Sequence, residues 1–329
     1  MNVPTEQNRS RLMKLPVKSG ALQQLLASAS LVVLVVFFSL ASPNFFQVSN
    51  IIGILLATAV IGVLALGSTF VIITGGIDLS VGTVMTLSAV MTGVFITFWG
   101  LPIPLGVLGG ILTGTVCGLF SGLAVAKMRI PPFIATLAMM MIAKGLALVI
   151  SGAKPIYFND APAFRNISQG TLIGSIPNAV LIFFAAAIIG SLLLSKTIIG
   201  RYNYAIGSNE EATRLSGVNV NFWKVVIYSI TGMFTGLAGV LMASRLNSAN
   251  PALGAGYELE AIAAVVIGGT SLSGGKGTIV GTVIGALIMS VLTNGLRILS
   301  VPQEWQSVAV GFVIILAVYM DMLRRRKNQ

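Results

Sequence analysis

Residues 260–287 read EAIAAVVIGGTSLSGGKGTIVGTVIGAL, two apolar runs held apart by glycines and hydroxyl residues. The central GGTSLSGGKGT, residues 268–278, invites reading as a phosphate-binding loop. Such a loop requires G-x-x-x-x-G-K-[ST], in which backbone amides and the Lys hold phosphates and the hydroxyl binds magnesium. Counting back from Gly275-Lys276, the first required glycine falls on Thr270, and Gly277 stands where Ser or Thr is needed. Both ends fail, and no soluble β-strand pattern precedes the segment. The glycines therefore interrupt an apolar segment, and the meaning of the break depends on the solvent around it.

Composition identifies that solvent. Of 329 residues, 55% are apolar and only 9% charged, with a mean hydropathy of +0.94. Soluble domains carry roughly 25% charged residues, so this chain cannot cover its surface with polar groups and is expected to sit in lipid. Apolar runs fall at about 21–41, 51–73, 83–99, 103–126, 132–150, 179–195, 225–244, 260–268, 278–296 and 306–322. At about 20 residues per crossing these give an all-α integral membrane protein of about ten transmembrane helices. The eighth run is short enough to be a half-span. The first reads as an uncleaved span, being too long for a secretory signal. The expected organisation is a tail at 1–20, a polytopic membrane domain at 21–323 and a basic tail at 324–329.

The formal charge of +11 raises the possibility of a nucleic-acid partner. Position argues against one, because Lys and Arg collect between apolar runs and at the termini. With ten spans, fifteen of the twenty basic residues fall on the side holding both termini, which the positive-inside rule places in the cytoplasm. The chain has no His and a single Cys, Cys117, within LTGTVCGLF. Internal disulfides, zinc sites, Cys-His nucleophiles and His general bases are thereby excluded. No catalytic residue, metal site or cofactor is expected.

The glycine cluster has a counterpart. Residues 75–82 read GGIDLSVG and 268–275 read GGTSLSGG, so G-G-x-x-L-S-x-G recurs 193 positions apart, each copy between apolar runs. Glycine-broken hydrophobic segments in corresponding places of two halves point to a transport path. Unwound backbone at membrane depth survives only where protein shields it or water lines it. The candidate path and hinge residues are Gly75, Gly76, Asp78, Ser80, Gly268, Gly269, Ser271, Ser273 and Asn294. Thr74 is a further hydroxyl beside the first break. Asp78 either caps the helix that follows or lines the path. The repeat is parallel if the span count holds and inverted if one half-span moves. Lys144, within TLAMMMIAKGLALVI, is a charge inside a span, either snorkelling to the surface or pairing in the bundle.

Two long polar segments remain. One, at about 151–178, lies on the non-cytoplasmic side. The other, at about 196–224, is cytoplasmic and contains GRYNYAIGSNEEATRLSGVN. There Asn209 is placed to cap a short helix through Arg214 and Leu215 that ends at Gly217. A capped helix held between two spans makes a rigid handle for a partner. On the opposite face, ASRLNSANPALGAGYELE sets Arg245, Glu258 and Glu260 beside a flexible Pro/Gly segment, as candidate docking charges.

The 200–220 segment resembles the coupling helix, or EAA segment, of bacterial ABC-importer permeases. From about 35 to 320 the chain is similar to the ribose-type permeases of that class. The resemblance rests on SPNFF (42–46), TGGIDLSVG (74–82), PPFIATLAMMM (131–141), GRYNYAIGSNEEATRLSGVNV (200–220), ANPALGAGYELEAIAAVVIGGTSLSGGKGTIVGTVIGAL (249–287) and NGL (294–296). It implies a non-enzymatic permease subunit for ribose or a related sugar in the inner membrane. It also implies a separate cytoplasmic ABC ATPase, a periplasmic sugar-binding protein, and a second permease copy or paralogue. The ATPase-coupling set it suggests is Glu210, Ala212, Arg214 and Gly217, with Glu211 standing where the motif usually has Ala. The competing reading is an ion-coupled secondary sugar transporter. That machine needs intramembrane carboxylates to carry the coupling, and Asp78 is the one acid near a broken span.

Overall fold

The computed structural model describes residues 19–326, with side chains from 24 to 323. Of the proposed tails at 1–20 and 324–329, residues 1–18 and 327–329 lie outside this range. Thirteen helices are described: α1 (Ser19–Ala41), α2 (Val48–Ile73), α3 (Val81–Gly93), α4 (Ile103–Ala126), α5 (Pro132–Ser151), α6 (Asn166–Gln169), α7 (Asn178–Lys196), α8 (Ile198–Ser208), α9 (Glu210–Leu215), α10 (Val220–Leu246), α11 (Tyr257–Ile267), α12 (Ile279–Ile298) and α13 (Gln303–Arg326). A π-helical turn, Val94–Phe98, extends α3. Among the described residues, nine helices are long and apolar enough to cross a membrane. The eighth expected span, α11, has eleven residues, about 16 Å at 1.5 Å per residue, and is a half-helix.

Local chemistry places several ends. Pro102, Pro131 and Pro132 sit at the starts of α4 and α5, where a missing N–H costs nothing because no helical carbonyl waits for it. Asn219 accepts from the Phe222 amide at 3.0 Å. This cap starts α10 five residues ahead of the hydropathy-based boundary at 225.

The bundle is organised around α2, α3 and α10. From Thr58 to Ile73 every residue of α2 is buried, and its Phe70 stacks on Phe234 of α10 at 6.1 Å. The most extensive helix pairing is α4 on α10, and its sequence cause is a glycine every fourth residue. A Cβ on Gly118 would collide with the Tyr228 carbonyl and stand 3.0 Å from Gly232 Cα. One on Gly114 would meet the Gly236 nitrogen at 2.6 Å, and one on Gly122 would meet Val225 Cα at 2.9 Å. Small residues in register let two membrane helices approach backbone to backbone, where dispersion contacts and weak hydrogen bonds replace the hydrophobic drive that lipid cannot supply.

The long segment between α5 and α7 folds back on the bundle. Phe158 and Phe164 are fully buried, with ring centroids 4.1 Å apart. The Ser168 amide donates to Ser244 Oγ at 2.9 Å, and its hydroxyl to the Leu241 carbonyl at 2.8 Å. Two short antiparallel pairs complete this end. β1 (Ile156–Tyr157) pairs with β4 (Ser248–Ala249), and β2 (Thr171–Ile173) with β3 (Ile176–Pro177).

Candidate functional site: the joint between two broken helices

Both glycine breaks begin with the same backbone closure. The Gly76 amide donates to the Val71 carbonyl at 3.2 Å, and the Thr270 amide to the Val265 carbonyl at 3.1 Å. In each case the residue before the donor is a left-handed glycine, Gly75 at φ 80° and Gly269 at φ 95°. This closure returns the chain to an orphan carbonyl near the helix end and requires positive φ, which costs glycine no steric strain. The structural repeat therefore matches Gly75 with Gly269, one residue away from the pairing of Gly75 with Gly268 in the sequence motif. The motif was aligned by composition, whereas the structure aligns the caps.

Beyond the caps the two copies differ. The first linker, residues 74–80, is pinned by Thr136 of α5, whose hydroxyl accepts from the Leu79 amide and lies 3.2 Å from the Ile77 carbonyl. Asp78 and Ser80 are buried. Asp78 Oδ1 accepts from the Ser80 amide at 2.8 Å and from its hydroxyl at 2.6 Å. The carboxylate thus turns onto the residue that opens α3, while Ser80 makes no capping bond of its own. The second linker, residues 268–278, is a tight coil in which the Ser271 amide donates to the Lys276 carbonyl and the Gly274 amide to the Ser271 carbonyl. Thr278 ends it by capping α12 through the Gly281 amide at 3.1 Å.

The two linkers meet. The Gly275 amide donates to the Ile73 carbonyl at 2.8 Å, joining the second break to the end of α2. The Ser273 carbonyl lies 3.6 Å from where a Cβ on Gly75 would stand. Gly268, at the first position of its motif, instead packs backbone to backbone on Gly281 of α12.

A third element closes this joint, and the hydropathy pattern gave no sign of it. α8 lies across both breaks. A Cβ on Gly207 would collide with the Ile73 carbonyl and stand 2.6 Å from the Gly275 nitrogen. Tyr204 donates from its hydroxyl to the Gly277 carbonyl at 2.7 Å. Burial pushes the Tyr204 phenol above its ordinary range, so it remains a protonated donor. α8 leads at once into α9, with Asn209 accepting from the Ala212 amide at 2.9 Å and Gly217 left-handed at φ 87° beyond it. The short helix begins and ends where its residues anticipate.

Charge divides the faces of α9. Glu210 pairs with Arg214 at 3.0 Å and with Lys224 of α10 at 2.7 Å, bracing the helix against the bundle. Glu211, Ala212 and Arg214 are exposed. Leu215 is 80% exposed, a large apolar side chain at the tip of a polar segment. Beside it a polar cavity of about 350 Å³ is walled by Arg129, Pro131 and Pro132 from the α4–α5 connection and by Glu210, Arg214 and Lys224.

The remaining candidates lie apart from the joint. Asn294 of α12 donates to Asn50 Oδ1 at the start of α2, at 3.0 Å. Arg245, Glu258 and Glu260 are half-buried, and the segment near them is held by β4 and by the buried Pro251 and Gly254. This differs from the flexible segment expected from its Pro and Gly content. Glu258 accepts from the Gly256 amide at 3.1 Å and so serves the start of its own helix. Among the described residues no three His, Cys, Asp or Glu side chains come together as metal ligands.

The sequence pattern of a family described as the branched-chain amino acid transport system / permease component matches residues 50–318. The chain belongs to that family. It is 43% identical to the ribose import permease protein RbsC of Haemophilus influenzae, over 89% of this chain and 91% of the relative. The RbsC protein of Bacillus subtilis is 44% identical, over 92% and 94%. The fructose import permease protein FrcC of Rhizobium meliloti is 37% identical, over 89% and 83%. No solved structure gives a significant match. Membership and the nine membrane-length helices make this a multi-pass inner-membrane transport component.

Proposed function

We propose that the chain is the permease subunit of an ATP-driven ABC importer for a monosaccharide of the ribose or related pentose and hexose class. ATP hydrolysis belongs to a separate cytoplasmic subunit, a periplasmic binding protein delivers the sugar, and two permease copies form the conduit. Both termini and the α8–α9 segment face the cytoplasm, as the distribution of Lys and Arg favours. The relatives named for ribose and fructose import support the substrate class.

The observation that carries the mechanism is the seat of α8 across the two broken helices. α9 offers the ATPase an exposed surface, and α8 passes its displacement to the carbonyl that ends α2 and to the coil that follows α11. A rigid element touching two hinges transmits a push with little loss, because packed interfaces shift between discrete arrangements. The acid offered to the ATPase is Glu211, since Glu210 is committed to Lys224 and Arg214. Leu215 is the apolar anchor, with Ala212, Arg214 and Gly217 shaping the surface around it. On the opposite face, Arg245 and Glu260 orient the binding protein, while Glu258 holds the helix start.

An ATPase co-expressed with the chain should co-purify with it. Leu215→Asp is expected to weaken this association by roughly 2 kcal/mol, about thirtyfold, as loss of an apolar interface anchor does. Glu210→Gln removes a half-exposed brace, worth about 0–1 kcal/mol, and should leave co-purification nearly intact. Equal retention of the ATPase by Leu215→Asp and the parent chain contradicts the docking assignment.

A further inference from the structure

Lys144 is a charge without a solvent. It lies twelve residues after Pro132 and seven before Ser151 on α5, about 18 Å and 10 Å from the two helix ends at 1.5 Å per residue. Every other charged residue in the nine membrane-length helices lies within five residues of an end. Lys144 is exposed, and among the described residues it has no hydrogen bond or ion pair. Leu137, Met141 and Leu148 share its stripe at helical spacing, and Leu137 and Met141 are likewise exposed. Among the described residues, nothing covers this face of α5.

Lipid is a poor cover for it. A lysine at mid-helix disfavours insertion by roughly a hundredfold. Reaching the nearer surface also runs against the helix, because each Cα–Cβ bond tilts toward the N-terminus and here toward the farther end. Water at this depth meets the need, and a water-filled passage requires a second wall that one copy does not supply.

We propose that the Lys144 face of α5 lines a water-filled passage closed by a second copy of this chain, and that the Lys144 ammonium donates hydrogen bonds to the hydroxyl groups of the sugar in transit. This rests on the permease reading above and adds to it the face that closes the conduit and a residue that recognises cargo. Two ammonium groups facing each other across the passage repel, which keeps it open and wet. Their donors suit a polyol, which offers acceptor oxygens without charge.

The test uses the assembled importer in proteoliposomes, in a Cys117→Ser background whose ATP-driven ribose uptake reports on the permease reading by itself. Lys144→Cys in that background is expected to react with a charged, water-soluble methanethiosulfonate on the order of tenfold faster than Phe312→Cys on the exposed face of α13. A bifunctional thiol reagent should link two copies through position 144. Lys144→Met should lower ribose uptake roughly tenfold, as losing a charged hydrogen-bond donor does, and Lys144→Arg should restore most of it. Uptake by the parent with position 144 as unreactive as 312 overturns the inference and leaves the permease reading standing. So does labelling at 144 with no linked dimer, or full uptake by Lys144→Met.

Discussion

Gly118→Val is expected to abolish folded permease, with the chain recovered as aggregate or degraded in the membrane. The new side chain has no direction in which to relax. Its Cβ meets the Tyr228 carbonyl and the Gly232 Cα, both backbone atoms of a helix buried on most of its circumference. Overpacking an ordinary core costs about 1–3 kcal/mol. Here α4 and α10 must separate along their length, so the effect should exceed the upper end of that range. Detergent thermal unfolding of purified protein measures it, with Gly145→Val as the control. A Cβ on Gly145 meets nothing within 4 Å, so that variant should retain the parent's Tm. A Gly118→Val protein with parental Tm contradicts the packing described for the bundle.

Gly207→Val should give the opposite phenotype: a permease that inserts and holds its ATPase but transports sugar at least roughly tenfold more slowly than the parent. The substitution places a side chain where α8 meets the Ile73 carbonyl and the Gly275 nitrogen. It wedges the joint while leaving α9 and its exposed Leu215 in place. ATP hydrolysis measured beside uptake separates the two effects, with the ratio of sugar moved to ATP consumed falling. Unchanged stoichiometry shows that force does not pass through this contact.

The architecture was legible where burial in lipid alone dictates the residue type. The apolar run at 103–126 coincides with α4, and the short run at 260–268 is the half-helix α11. What hydropathy does not encode is which backbone meets which. Gly114, Gly118 and Gly122 stand at regular spacing in the sequence, but the residues they meet, Gly232 for the first two and Val225 for the third, lie about a hundred residues away. α8 escaped notice because Arg201, Tyr202 and Asn203 interrupt its apolar pattern, although Asn203 is buried. The twin motifs were visible as composition, and their one-residue offset appeared only when the caps fixed which glycine takes positive φ. Glu210 and Glu211 are equivalent as letters, and the position of Lys224 separates them.

The central claim is that this chain moves sugar only when a separate motor drives the joint of α8 with the two broken helices. Uptake of radiolabelled ribose into proteoliposomes tests it most directly, comparing the chain alone under a proton or sodium gradient with the chain assembled with its ATPase, ATP and the binding protein. The account predicts accumulation in the assembled, ATP-supplied vesicles and none above leak in the others. Gradient-driven accumulation by the chain alone would contradict it.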